Sequence, residues 1–143
     1  MDKIKPTPQP TVYVVQEVRG RNLTDAARYG DLVALLPPGE QVFLRPEDTI
    51  NTLRRALRDF TSDDYLLAIG DPAAIAIASI VAVEASGGLF TMLKWDREHR
   101  KYYKIRLDMR KAKKGESSSD ANQTEKEGGR QKSGGYKEPN QII

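Results

Sequence analysis

The sequence predicts a small α/β domain: a mixed sheet with helices on both faces, in a Rossmann-like three-layer arrangement that closes with a C-terminal β-hairpin. Three observations predict it. Short β-branched apolar runs alternate with helical patterns, helix start and stop signals fall at the joins, and two alternating runs end the ordered part of the chain. A two-layer α+β arrangement is the alternative, because two helices barely suffice to cover both faces of a five-stranded sheet.

The first ten residues place Pro6, Pro8 and Pro10 alternately with Thr7 and Gln9, a pattern that favours an extended arm over residues 1–10. Order is expected to begin at Thr11. TVYVVQEV is β-branched and aromatic and nearly continuously apolar, as in a strand buried on both faces. After a turn at Arg19–Arg21, Asn22–Tyr29 suggests one or two helical turns with Thr24 as N-cap, ending at Gly30. A strand over Asp31–Leu36 stops at Pro37-Pro38-Gly39, since proline cannot donate to a ladder. Val42–Leu44 reads as a short edge strand.

Pro46–Phe60 carries the clearest helical signature. Pro46 starts it, Glu47 and Asp48 sit in its first turn, and Ile50, Leu53, Leu57 and Phe60 fall on one face. Tyr65–Ile69 is a short apolar strand ending in Gly70-Asp71-Pro72, where Asp71 caps the next helix and Pro72 fixes its first dihedral. Ala73–Ala85 is apolar around nearly its whole circumference, which predicts burial on most sides. Gly87-Gly88 ends it. Leu89–Trp95 and Lys101–Asp108 then alternate as a hairpin about Asp96–Arg100. From Arg110 onward Gly, Ser, Lys, Glu and Gln dominate, so residues 110–143 are expected to form a disordered basic tail and residues 11–109 a single domain.

The chain of 143 residues contains no cysteine and one histidine, so Cys-ligated zinc, iron–sulfur clusters and His-rich metal sites are excluded, and no cofactor or metal is expected. The start, MDKIKPTPQP, has no apolar run behind its lysines, and the longest apolar run, Pro72–Val83, falls short of the roughly 20 residues a bilayer requires. The expected location is the cytoplasm. Acidic and basic residues balance over 1–109, so the formal charge of +3 resides wholly in the tail, and the high isoelectric point says nothing about the domain.

Two places in the sequence could carry chemistry. At the Gly70-Asp71 corner a strand runs into a helix, which is where open α/β sheets bind ligands. Yet there is no glycine-rich phosphate motif, Pro72 removes one donor, and Asp71 puts a carboxylate where an anion would sit. Capping is the simpler reading of Asp71. A cation held by Asp71 with Asp31, Asp63 or Asp64 would need those carboxylates brought together by the fold. His99 lies in a charged turn with no recognisable nucleophile.

The strongest constellation spans Lys94–Lys114, where ten basic residues outnumber three acidic ones and aromatic residues are interleaved. Cations neutralise phosphates and aromatic faces stack unpaired bases, so Lys94, Trp95, Arg97, Arg100, Lys101, Tyr102, Tyr103 and Lys104 are candidates for contact with single-stranded nucleic acid. Alternation would bury some of these rings, and lysine also guards edge strands against pairing. Arg54, Arg55 and Arg58 either extend the patch or form a solvated helix face.

The segments TVYVVQEV, GDLVALLPPG, DDYLLAIGDPAAIAIA and LKWDREHRKYYKIRLDM occur in this order over most of Thr11–Met109. With its strand ending in IGDP and its closing LKWDR…YY segment, the chain resembles a family of small tailed-bacteriophage proteins to which no activity is assigned. The resemblance implies a phage protein working in the host cytoplasm and brings no catalytic residues. The expected function is that of a phage accessory binding protein associating with nucleic acid through the basic aromatic hairpin and tail. The alternatives are a factor that modulates a host or phage enzyme by protein contact, and a small enzyme with its ligand at Gly70-Asp71. Binding is favoured over catalysis because polar groups converge on no recognisable catalytic motif. The sequence leaves the oligomeric state open.

Overall fold

A computed structural model of the chain describes residues 8–110. It contains five strands, β1 (Thr11–Gln16), β2 (Asp31–Leu36), β3 (Tyr65–Leu67), β4 (Leu89–Asp96) and β5 (Lys101–Asp108). Two α-helices, α1 (Pro46–Ala56) and α2 (Pro72–Ser86), and two short 3₁₀ helices, Thr24–Tyr29 and Val42–Leu44, lie between them. The sheet order is β2-β1-β3-β4-β5. The first four strands are parallel and β5 returns antiparallel to β4, so the domain is a small α/β fold with a mixed sheet and a closing hairpin. The Arg110–Ile143 tail begins at the last described residue, and residues 111–143, like 1–7, lie outside the described part.

Strand burial follows from position in the sheet. β1 is flanked on both sides, and every residue from Val12 to Gln16 is buried. Its side chains alternate between two cores. Tyr13 and Val15 join Leu53, Leu57, Phe60, Leu66 and Phe90 under the α-helices, while Val12 and Val14 join Ala26, Leu67 and Leu93 beneath the Thr24–Tyr29 helix. Helices thus cover both faces, as expected, but unequally: two α-helices lie on one face and a single 3₁₀ segment on the other.

Five local expectations are corrected, the last of them the N-cap of the Thr24–Tyr29 helix. Val42–Leu44 is a 3₁₀ turn, not an edge strand; only Val42 is buried, while Phe43 and Leu44 are exposed. Helix α1 ends at Ala56, four residues early, because Leu57 and Phe60 reach the core from the turn that follows it. Phe60 sits edge-on to Tyr13 at 5.4 Å and to Phe90 at 6.0 Å. Strand β3 stops at Leu67, leaving Ala68 and Ile69 as connection. Helix α2 buries one stripe, Ala74, Ala78, Val81 and Ala82, with Ile80 on its open side. Its apolar circumference does not mean burial all round, because a single helical layer leaves the outer face to solvent, and alanine there exposes little apolar area.

The boundaries of α2 are as read. Asp71 accepts a hydrogen bond from the Ala73 amide at 3.0 Å, and Gly87 ends the helix in the left-handed region at φ 77°. The N-cap of the Thr24–Tyr29 helix is instead Leu23, and Asn22 accepts from the Thr24 amide. Asp64 ties the amino end of the central strands, accepting from the amides of Thr11 and Thr61. Strand β2 forms one edge; Leu32 and Val33, on its two faces, are about two-fifths exposed. At the other edge Arg106 of β5 donates to Thr91 of β4 and to the Ser62 carbonyl.

The cap gives a direct check. Asp71→Ala should lower stability by about 1 kcal/mol in urea denaturation, whereas Asp71→Asn and Asp71→Ser, which can still accept from Ala73, should cost a few tenths. Equal losses in all three would contradict a capping role.

Candidate functional site at the carboxyl edge of the sheet

The strand order reverses direction at β1. The chain leaves β1 for β2 on one side, then returns to β3 on the other, so the loops after β1 and β3 diverge onto opposite faces. A crevice between them is the usual consequence, at the edge where parallel strands deliver their carboxyl ends. Its centre is closed by a side chain. Gln16, the last residue of β1, is 5% exposed, and its amide spans three segments. Its Nε2 donates to the carbonyls of Pro37 at 3.2 Å and Glu40 at 3.1 Å, and its Oε1 accepts from the Asp71 amide at 2.7 Å.

That close approach dictates the residue at position 70. Gly70 has φ 115°, and a Cβ there would lie 2.4 Å from the Gln16 Cβ, far inside contact distance. The corner of the IGDP segment is therefore built to hold Gln16 and to start α2. Asp71 is used at both ends, its amide toward Gln16 and its carboxylate toward Ala73. Asp31 begins β2 and Asp63 and Asp64 precede β3, at the amino end of the parallel strands, whereas Asp71 follows their carboxyl end, so the fold keeps that carboxylate apart from the other three.

Beside this clamp the unequal strand lengths open a concavity. β3 pairs with β4 from Tyr65–Thr91 only as far as Leu67–Leu93, while β4 and β5 continue together to the Asp96–Lys101 pair. Lys94 and Trp95 therefore overhang the end of β3. Facing them, the loop after β1 supplies Arg21 and Asn22, and the space between measures about 380 Å³. Leu67 lines it from β3, Ala68 and Ile69 from the connection after it, Ile75 from α2, and Arg97 and Tyr102 from the hairpin. Arg21, Lys94 and Arg97 line it, and among the described residues no carboxylate does. Trp95 and Tyr102 lie opposite one another in the hairpin register and meet edge-on at 4.9 Å. Burial raises the Tyr102 phenol above its ordinary range, and Asp25 adds to the rise against the pull of Arg21.

The eight hairpin residues singled out by the sequence divide among four surroundings. Lys94, Trp95, Arg97 and Tyr102 line the crevice. Lys104 lies over the rings of Tyr29 and Tyr65, at 5.4 and 5.6 Å, which occupies its ammonium in cation–π contact. Lys101 and Tyr103 pair with Asp96 and Lys94 on the face opposite Trp95 and Tyr102. There Lys101 stands 5.2 Å from the Tyr103 ring. Arg100 occupies the turn at φ 52°.

The turn itself is locked by Asp96, whose Oδ2 lies 2.6 Å from His99 Nδ1 and whose Oδ1 accepts from the Glu98 amide. The His99 contact, more than the others, lowers the Asp96 carboxyl below its ordinary value. Ligand atoms of Asp96, Glu98 and His99 lie within 4.8 Å of one another, yet both Asp96 oxygens are already engaged in closing the turn. Arg54 pairs with Glu84 between α1 and α2 at 3.3 Å, as part of a solvated helix face.

Arg21, Asn22 and Gln16 are the site residues that sequence reasoning missed. Gln16 gave a signal, as the first polar residue closing a buried apolar strand; Arg21 gave only its place in the loop after the first strand.

A family model described as Phage Pam3 gp32-like protein matches residues 10–109. No curated protein and no solved structure matches the chain significantly. Among the described residues, no helix is long and apolar enough to cross a membrane.

The clamp yields a test that separates its two hydrogen-bonding roles. Gln16→Glu keeps an acceptor for Asp71 but turns a carboxylate toward two carbonyls, so it should destabilise the domain at neutral pH by at least as much as Gln16→Ala, about 1–3 kcal/mol for buried groups left without partners. Gly70→Ala should cost as much or more. A Gln16→Glu variant with unchanged thermal and urea midpoints would show that the clamp carries no weight.

Proposed function

The chain belongs to the Phage Pam3 gp32-like protein family, and from that premise we propose that it is a phage accessory protein binding single-stranded nucleic acid at the carboxyl edge of its sheet, within the host cytoplasm. One observation carries the reading. Arg21, Lys94 and Arg97 line the same concavity as the Trp95–Tyr102 pair, and among the described residues no carboxylate lines it. Cations attract the phosphates of any sequence and exposed rings stack any base, which suits single strands better than a duplex, whose bases are already stacked. The domain is close to neutral overall, so this local convergence, together with the charge of residues 110–143, supplies the attraction.

A second reading, a factor acting through protein contact, rests on a different observation. Edge strand β2 exposes Leu32 and Val33 and carries no lysine or proline from Leu32 to Leu36, the devices that commonly keep an edge from pairing with another chain.

Titration of a labelled single-stranded oligonucleotide at about 50 mM salt discriminates the two, since low salt favours electrostatic binding. Affinity should fall steeply with salt. Replacing Arg21, Lys94 and Arg97 by Ala should flatten the slope of log affinity against log salt, and deleting residues 110–143 should flatten it further. Trp95→Ala should lower affinity about tenfold with the slope nearly unchanged, the usual worth of one stacked base. Absence of binding by the full-length protein at this salt would overturn the nucleic-acid reading in favour of the protein-contact one.

A further inference from the structure

We infer that the crevice seats a single phosphorylated nucleotide, either the terminal nucleotide of a strand or a free mononucleotide, with its ring against the Trp95–Tyr102 pair and its phosphate among Arg21, Lys94 and Arg97. The choice of ligand class rests on the nucleic-acid reading above; the stoichiometry and the preference for an end rest on the shape and charge of the carboxyl edge.

Size decides the first point. At about 380 Å³ the crevice lies near the lower limit of small-molecule sites, roughly 300–1,000 Å³. It accommodates one base, sugar and phosphate, not a run of them. Its composition is graded to match: an apolar floor from Leu67, Ala68 and Ile69, a ring wall, and cationic groups from two segments, the loop after β1 and the end of β4 with its turn. The Asn22 amide adds both a donor and an acceptor, the combination that a base edge requires.

Charge decides the second. On the far side of Arg21 and Gly70 the surface continues into a second, more open concavity, which shares those two residues and Ile69 with the first. Glu17, Asp71 and Arg19 line that side. A polyphosphate chain threaded through both hollows would pass two carboxylates against one further cation, Arg19, whereas the hairpin turn sets Arg97, Arg100 and Lys101 against Asp96 and Glu98, so the balance of charge favours the hairpin exit. The strand therefore stops in the crevice and leaves toward the turn. Asp71 is fixed in place by its bond to Ala73, so the barrier cannot swing aside without uncapping α2.

Trp95 is the chain's single tryptophan, so its fluorescence in the full-length protein reports on this crevice alone. Titration with nucleoside monophosphates should quench it saturably. The corresponding nucleosides should bind at least about tenfold more weakly, as should the monophosphates to Arg21→Gln and Lys94→Gln, each of which loses one charge-assisted phosphate contact. Both variants should keep the parental melting temperature, because neither side chain is buried. A short linear single strand with a 5′- or 3′-terminal phosphate should compete with the monophosphate, and a circular single strand, which has no end, should not.

Competition by the circle as strong as by the linear strand would overturn the end-seating inference while leaving single-strand binding intact. Displacement by inorganic phosphate at the same concentration as the monophosphate would reduce the crevice to an anion site and overturn the role given to the rings. Quenching by monophosphates with no binding of any oligonucleotide would support a free-nucleotide site and retire the nucleic-acid reading. Oligonucleotide binding with no response of Trp95 to monophosphates or to strand ends would overturn the inference and leave the broader reading standing.

Discussion

The carboxyl edge of this sheet is organised by one buried amide. Gln16 joins the end of β1 to the loop after β2 through Pro37 and Glu40, and to the corner after β3 through Asp71. Parallel strands bring their loops to the same edge, but nothing in a ladder fixes those loops relative to one another. A polar side chain at the end of the central strand does so. Its cost is the burial of an amide, offset here because three of its hydrogen-bonding positions are filled. The consequences run outward. Close packing on Gln16 requires glycine at position 70, the Asp71 amide is committed to the clamp, and the Asp71 carboxylate caps α2. The Ala74, Ala78 and Ala82 stripe of α2 then lies against the sheet.

The same edge is divided electrostatically. Glu17, Asp71 and Arg19 lie on the clamp side, Lys94 and Arg97 lie on the hairpin side, and Arg21 borders both. The domain's near neutrality conceals this division. The hairpin is divided as well, since alternation sends Trp95 and Tyr102 to one face and Lys101 and Tyr103 to the other. On the second face Asp96, His99 and Tyr103 form a local network that shapes the turn. That network holds the hairpin end in position beyond β3, and the overhang it supports is the wall of the crevice.

Much of the fold was legible because its signals are local. The Thr11, Asp31 and Lys101 strand starts follow from composition and breakers, and the Asp71-Pro72 start and Gly87 stop of α2 follow from capping chemistry. Non-local packing accounts for the misses. Leu57 and Phe60 keep helical spacing with Leu53, yet reach the core from a turn, and periodicity alone cannot distinguish the two. Val42–Leu44 has strand composition, but with one buried residue it has no ladder to join. The crevice was legible only by half. Lys94, Trp95, Arg97 and Tyr102 stand close together in sequence as a basic aromatic cluster, whereas Arg21 and Asn22 reach it only through the strand order. Which rings face the same way depends on the hairpin register, and that register was not fixed until the pairing of Trp95 with Tyr102 was known.

The central claim is that ligand recognition resides at the carboxyl edge between the β1 loop and the hairpin overhang. Amide and indole NMR shifts of the full-length, isotope-labelled protein, followed during titration with a short phosphorylated single strand, test it most directly. The account predicts saturable shifts at Arg21, Asn22, Ile69, Gly70, the Trp95 indole and Tyr102, with Leu32 and Val33 unmoved. Shifts confined to residues beyond Arg110, or centred on β2, would contradict it.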